Sequence, residues 1–383
     1  MKYCRSIALL LLIMMTACKK EISNPINNQP VTTFSQVFDD FWNKMNVNYL
    51  YWNIDTTQWN AMYSRYKPVF DKLQLNESAD LARSVGYFRE MTEGLIDHHY
   101  SIAFTNPSLK DSTINPAVDH LLKDPSFRNP YSFITSDEHF VDAGYLYGYD
   151  NTITPGKPLI TLSGTIHGNI LFFACNQFEL SASFHSALSG SIQSSLNYLF
   201  DHLQNTSGLK AIILDIRDNQ GGAVSDLNFL AGRFIDAPLP FGYTRYKSGN
   251  GTLDYTPWIS ASVLPQPGAQ AVKLPILILA DRYSASMAEI LTMALRTLPQ
   301  CRVIGETTFG ATGPLTENAI YNDGAFDVQG FMSVETSSTA FKYLDGKMYE
   351  GKGFSPDYPV AFSSAALAAG DDPQLDKALS LVQ

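Results

Sequence analysis

The chain has 383 residues, with 37 acidic against 27 basic side chains and a formal net charge of −10 at pH 7. A chain this acidic, with no Lys/Arg cluster to reverse the sign locally, repels phosphate backbones, which excludes nucleic acid as an expected partner. Apolar content of 45% with 17% charged residues is the composition of a folded globular protein, and the length allows two or three domains of ~150 residues each.

The N-terminus reads MKYCRSIALLLLIMMTACKK, with a basic start at Lys2 and Arg5, an apolar stretch over residues 7–15 and small residues before Cys18. That stretch is too short to cross a ~30 Å hydrocarbon core, so residues 1–17 read as a cleaved signal. The Met-Thr-Ala-Cys ending resembles a bacterial lipobox. This implies lipidation of Cys18, a membrane partner through that lipid, and a place in the cell envelope on the periplasmic side or the cell surface; a plain secretory signal with an incidental cysteine is the alternative. Residues 18–33 are then a polar tether. With Cys4 removed, Cys175 and Cys301 remain, both in or beside apolar runs. They read as buried free thiols, and without CxxC or Cys/His spacing no metal and no cofactor is expected.

Over residues 34–104 the spacing predicts a small helical domain. Phe34, Val37, Phe38, Phe41, Trp42 and Met45 follow a helical period, as do Trp59, Met62, Tyr63 and Tyr66, and then Leu81, Val85, Phe88, Met91 and Leu95. Residues 105–160, with scattered Pro, Asp, Ser and Asn, read as an irregular or small β-rich insertion. From residue 161 to 383 continuous apolar strands (170–173, KAIILDI at 210–216, LPILILA at 274–280, CRVIG at 301–305) alternate with amphipathic stretches, including a helix carrying Leu227, Leu230 and Phe234. The pattern predicts an α/β fold, a mostly parallel sheet with helices on both faces, whose chemistry gathers at the carboxyl ends of the strands.

Two strand ends stand out. In LDIRDNQGGAVSD the strand empties into Gly221 and Gly222, which let backbone N–H groups face an open site, though such a pair is commonly just a turn. In LPILILADRYSASMAEIL a strand, a turn and a helix present Ser284 and Ser286 at a helix N-terminus, where a serine is either a helix cap or a nucleophile beside an oxyanion site. The context fits neither GxSxG nor Ser-x-x-Lys, and the glycines at 305 and 310 lack the lysine of a phosphate-binding loop.

The order ILDIRDNQGG, SASMAEI, VIGETTFG, GKGFSPDYPV resembles the tail-specific, or C-terminal-processing, serine peptidases over roughly residues 165–362, which implies a ClpP/crotonase-like peptidase core. The resemblance places the nucleophile on Ser286 and leaves Ser284 in the turn. The bacterial processing enzymes carry a lysine base after Thr-Phe-Gly; here that position is Ala311. A second branch, similar to the tricorn core protease, lacks the lysine and uses a histidine ahead of the sheet domain and a glutamate near its end. EGLIDHHYSI then places the base on His99, and YEGKGFSPDYPV places the carboxylate that orients it on Glu350, which as a bare sequence feature reads equally as a surface charge. Where the tricorn enzyme has a serine before its histidine, this chain has His98.

The resemblance implies an exported, lipid-anchored serine endopeptidase acting on peptides or unfolded proteins through an acyl-enzyme, with backbone N–H groups of Met287 and of Gly221 or Gly222 as the oxyanion hole. A peptidase-fold protein that has lost catalysis and binds a peptide or apolar ligand, as the retinoid-binding protein of the retina does, is the alternative. Residues 105–160 contain no Gly-Leu-Gly-Phe-like carboxylate loop, so no PDZ domain is expected.

Overall fold

The computed structural model describes residues 30–315 and 324–382. Cys18, the signal and most of the tether lie outside the described residues. In chain order the helices are α1 (Phe34–Asn48), α2 (Trp59–Phe70), α3 (Ser78–Thr92), α4 (Pro116–Lys123), α5 (Phe133–Asp137), α6 (Leu180–His185), α7 (Gly190–Gln204), α8 (Met287–Leu295), α9 (Ser364–Ala369) and α10 (Pro373–Ser380). The strands are β1 (Ser101–Phe104), β2 (Thr113–Ile114), β3 (Leu146–Asp150), β4 (Leu159–Ile166), β5 (Ile170–Cys175), β6 (Ala211–Asp215), β7 (Leu239–Tyr246), β8 (Ile259–Val263), β9 (Ile276–Ala280), β10 (Cys301–Gly305), β11 (Phe326–Val328), β12 (Met332–Glu335), β13 (Thr339–Tyr343) and β14 (Tyr358–Pro359).

The helical unit forms for the reason its periodicity gives. Thr33 caps α1 by accepting from the Gln36 N–H, and Phe34, Val37, Phe38, Phe41 and Met45 turn one stripe inward. That stripe meets Phe70 and Phe88, with Phe331 arriving from far along the chain. α3 stops at Thr92, so Leu95 is buried from the turn beyond it. The unit is not closed by its own residues: β1 pairs antiparallel with β12, Ile102 opposite Val334, in a sheet ordered β11-β12-β1-β2. This pairing fixes the loop just ahead of β1, which carries Asp97, His98 and His99.

The main sheet has seven strands in the order β14-β10-β9-β6-β5-β4-β3. Pairings from β5 to β14 are parallel, and β3 and β4 form an antiparallel edge. β6 and β9 are buried along their whole length, which is why both read as unbroken apolar runs. They are neighbours, with Asp215 opposite Leu279, so the loops leaving their carboxyl ends emerge side by side. α7 covers one face through Ile192, Leu196, Leu199 and Leu203, and α8 is buried on all sides. A smaller antiparallel sheet, β13-β7-β8, flanks α8.

Two details differ from the sequence pattern. The stretch carrying Leu227, Leu230 and Phe234 forms only a single π-helical turn, Leu227–Ala231, followed by Gly232, where a Cβ would stand 2.3 Å from the carbonyl oxygens of Asn228 and Leu264. Residues 105–160, read from the sequence as an irregular or small β-rich insertion, contain β2, α4, α5, β3 and the first residues of β4, a mixture of short helices and strands. Cys175 and Cys301 are free and buried. No helix among the described residues is long and apolar enough to cross a membrane.

Candidate active site

β9 delivers the chain into a turn whose form depends on Ser284. Its buried hydroxyl donates to the Ile216 carbonyl (2.7 Å) and accepts from the Asp281 N–H (2.9 Å), so this serine is structural. Ser286 then sits at the head of α8 with φ 55° and ψ −116°, a left-handed backbone that a non-glycine residue adopts at a cost of roughly 1–3 kcal/mol. Neighbouring bonds hold it there: Ala285 N–H donates to the Asn219 carbonyl (2.9 Å), and Ser286 N–H to Glu289 Oε2 (3.2 Å). The strained turn lifts the Ser286 hydroxyl off the protein, as in other strand-turn-helix nucleophile sites.

His99 Nε2 lies 3.1 Å from Ser286 Oγ. The loop that carries it is anchored by Asp97, whose buried carboxylate accepts from the His99 N–H (3.0 Å), Thr336 Oγ1 (2.5 Å), Ser337 N–H (2.7 Å) and Ser337 Oγ (2.8 Å). His99 Nδ1 is buried and has no hydrogen-bond partner among the described residues. Burial lowers the pKa of His99, the Asp97 charge opposes that shift, and His98 adds to it. The neutral imidazole, the form that accepts a proton, is thereby favoured.

Glu350 is 1% exposed, not a surface charge. It accepts from the His98 N–H (2.9 Å), Tyr51 Oη (3.1 Å), Thr312 N–H (2.8 Å) and Oγ1 (2.9 Å), and Gly313 N–H (2.8 Å). One polar atom each of Asp97, His99 and Glu350 lies within 4.8 Å of the other two. Glu350 therefore stands beside His99, and its hydrogen bonds fix the peptide ahead of that residue rather than the imidazole. Burial and then the Asp97 charge raise its pKa well above the usual carboxylate range. Asp97 accepts two hydrogen bonds on each carboxylate oxygen, whereas Glu350 accepts four on Oε2 and one, from the His98 N–H, on Oε1. His98, where the tricorn branch carries serine, donates Nδ1–H to the Phe309 carbonyl (2.8 Å) and packs on that ring.

The expected oxyanion hole is partly corrected. No described residue accepts from the Met287 N–H, which points out of the first turn of α8 where backbone donors are unpaired. Gly221 is not a donor: its N–H is taken by Asn219 Oδ1 (2.9 Å). Its role is steric, since a Cβ at this positive-φ position would stand 2.6 Å from Ser286 Cβ and 2.8 Å from Met287 N, filling the space an oxyanion needs. Gly222 is exposed and bridges Phe178 in parallel, with its own N–H spent on no described acceptor.

Ala311 is buried, and its N–H donates to Glu289 Oε2 (2.7 Å). Glu289 also accepts from Thr308 Oγ1 (2.6 Å) and Gly310 N–H (2.7 Å), tying the TTFGA segment to the nucleophile helix. Burial, opposed by these bonds, leaves the Glu289 carboxyl pushed up to about 7. Asp97, Asn219 and Glu289 are the site residues that sequence reasoning did not single out, although each lies inside a motif quoted for its neighbour. Only Glu289, a carboxyl among the apolar residues of the segment that forms α8, carried a signal of its own; Asp97 and Asn219 lie among other polar residues.

Residues 176–360 match the model of peptidase family S41, and residues 30–81 match the tricorn protease C1 domain. The chain is 30% identical over 149 residues to the carboxy-terminal processing protease CtpA of Bacillus subtilis strain 168, covering 39% of this chain and 28% of that protein. It is 32% identical over 155 residues to a CtpA-like serine protease of Staphylococcus aureus, covering 40% and 28%. The chain thus aligns with well under a third of the length of these relatives. In fold it is similar to a Parabacteroides merdae protein named as a peptidase (TM-score 0.70, 21% identity, 92% of this chain and 97% of that one). It is also similar to mature CPAF, solved with lactacystin (TM-score 0.59, 12% identity, 91% and 98%). Over residues 176–360 the chain is thus similar to peptidase family S41, and over residues 30–81, ahead of that match, to the C1 domain of tricorn protease.

Proposed function

We propose that the chain is an exported serine endopeptidase, held to a bacterial membrane by a lipid on Cys18, that cleaves peptides or unfolded proteins through an acyl-enzyme. The observation that carries the catalytic reading is the 3.1 Å approach of His99 Nε2 to Ser286 Oγ. As Oγ attacks the scissile carbonyl carbon, His99 takes its proton, an effect worth typically 10² to 10⁴ in rate. The oxyanion forms beside the Met287 N–H. When the C–N bond breaks, His99 returns the proton to the leaving amine, and it then deprotonates the water that hydrolyses the ester. Glu350 and Asp97 hold the His99 segment, and the Asp97 charge offsets that of the imidazolium. With alanine at 311 no lysine enters the cycle.

A fluorophosphonate probe is expected to label the wild type and not Ser286→Ala. No labelling of wild type would favour the alternative, a ligand-binding protein on a peptidase fold. The anchor rests on the lipobox-like sequence alone, and Cys18→Ala is expected to move the protein from the membrane to the soluble fraction on cell fractionation. Retention on the membrane would mean another attachment.

A further inference from the structure

We infer that residues 115–130 select the substrate by forming a wall beside Ser286 that takes an apolar side chain from a residue flanking the scissile bond. This rests on the endopeptidase reading above, and the segment lies between the two family matches, at 30–81 and 176–360.

The catalytic serine opens into a cavity of about 360 Å³, within the size range of small-ligand sites. Val118, Leu121, Leu122, Phe127 and Pro130 line it together with Ser286 and His99. α4 is built to leave these side chains free. Asn115 caps it by accepting from the Val118 N–H (3.0 Å), Pro116 begins it, and only Pro116 and Ala117 are buried. Val118, Leu122 and Phe127 stay 41%, 57% and 37% exposed, so apolar surface is still available for a ligand to cover. Among the described residues no Asp, Glu, Lys or Arg borders the cavity. A charged side chain entering it would lose water and meet apolar groups and neutral polar ones such as Asn115 and Gln220, but no opposite formal charge from an acidic, lysine or arginine side chain. Ala311, in place of the lysine of the processing enzymes, lines the same cavity and keeps a cation out of it.

The wall is registered against the nucleophile. Arg282 donates to the Ser126 carbonyl and to Ser126 Oγ (2.9 Å each), and Tyr283 Oη donates to the Arg128 carbonyl. Arg128 in turn pairs with Asp281 (2.7 Å) and Glu306 (3.0 Å). Residues 281–283 belong to the turn that presents Ser286, so wall and hydroxyl are set by one piece of backbone.

The test uses the full chain, a peptide library varied on both sides of one bond, and mass-spectrometric mapping of cuts. Wild type is expected to cut beside Leu, Val, Met or Phe and to disfavour Asp, Glu, Lys and Arg at the same position by about 10- to 100-fold in kcat/KM. Leu122→Glu, at an exposed position, is expected to lower kcat/KM for the best apolar peptide at least about tenfold and to raise the Lys peptide relative to it. Val118→Lys is expected to do the reverse for acidic peptides. A wild type that is labelled by fluorophosphonate and cuts charged and apolar peptides alike overturns this inference and leaves the endopeptidase reading standing, as do variants whose preference is unchanged. A wild type that neither labels nor cuts overturns both.

Discussion

A base accepts the Ser286 proton only while its imidazole is neutral, so the pH dependence of turnover reports the surroundings of His99. Burial moves this histidine's pKa below its ordinary value of 6.5, against the pull of Asp97. The acid limb of a kcat/KM profile should therefore have its midpoint below pH 6.5, with activity present above it and lost as the ring protonates. Asp97→Asn removes the charge that raises the pKa, so the limb should move further down even as the loop loosens and kcat falls. Initial rates on a fluorogenic peptide across the acidic range measure both. A limb at or above the ordinary histidine value, or one that Asp97→Asn leaves in place, would assign the base to another group. Residue patterns alone could not pair Ser286 with His99, which the family resemblance did, because the two are 187 residues apart and meet only after β1 has paired with β12.

At the scale of elements, the site is a junction of four segments that Glu289 and Glu350 hold together. Glu289 links the start of α8 to residues 308–311, the segment where the processing enzymes keep their lysine. Glu289→Gln replaces one accepting oxygen by an NH₂ that faces a backbone N–H, leaving a buried donor unpaired at a cost of about 1–3 kcal/mol. The misplacement of Ser286 should lower kcat by on the order of 10²-fold, and thermal melts read beside the kinetics separate the two effects. A lowered Tm with kcat intact would make Glu289 a purely structural tie. The α/β alternation was legible because β6 and β9 are buried on both faces and so are apolar without interruption. α4 was not, since eight residues give little period, and its apolar residues border a cavity instead of a core. Nor were β11, β12 and β13, strands of three to five residues whose partners lie far away in sequence.

Over the whole molecule, the loop that leads from β6 to Gly221 passes a buried cluster joining distant parts of the chain. Arg217 is fully buried; it donates to Asp215 at the end of β6, to Asp372, which caps α10 (2.7 Å), and to Asp137 of α5 (3.4 Å), while Phe133 covers its face. One cation thus faces three carboxylates, and burial followed by the Asp215 charge raises the pKa of Asp137 well above its ordinary value. Arg217→Met keeps the volume and removes the cation, leaving carboxylates buried without a partner, which is expected to cost about 3–5 kcal/mol. Burial already raises Asp137 and Asp215 in the wild type, and in that variant the opposing cation is gone, so their folded-state pKa values stand further above the unfolded ones. The folded state then binds more protons than the unfolded state between those values, so its stability falls as pH rises and recovers as pH falls. Urea unfolding at pH 7 and again at mildly acidic pH should therefore show the deficit relative to wild type shrinking on acidification. A deficit that stays constant with pH would mean that lost packing on Phe133, and not unpaired charge, is what the substitution costs, and that the cluster is held by shape alone.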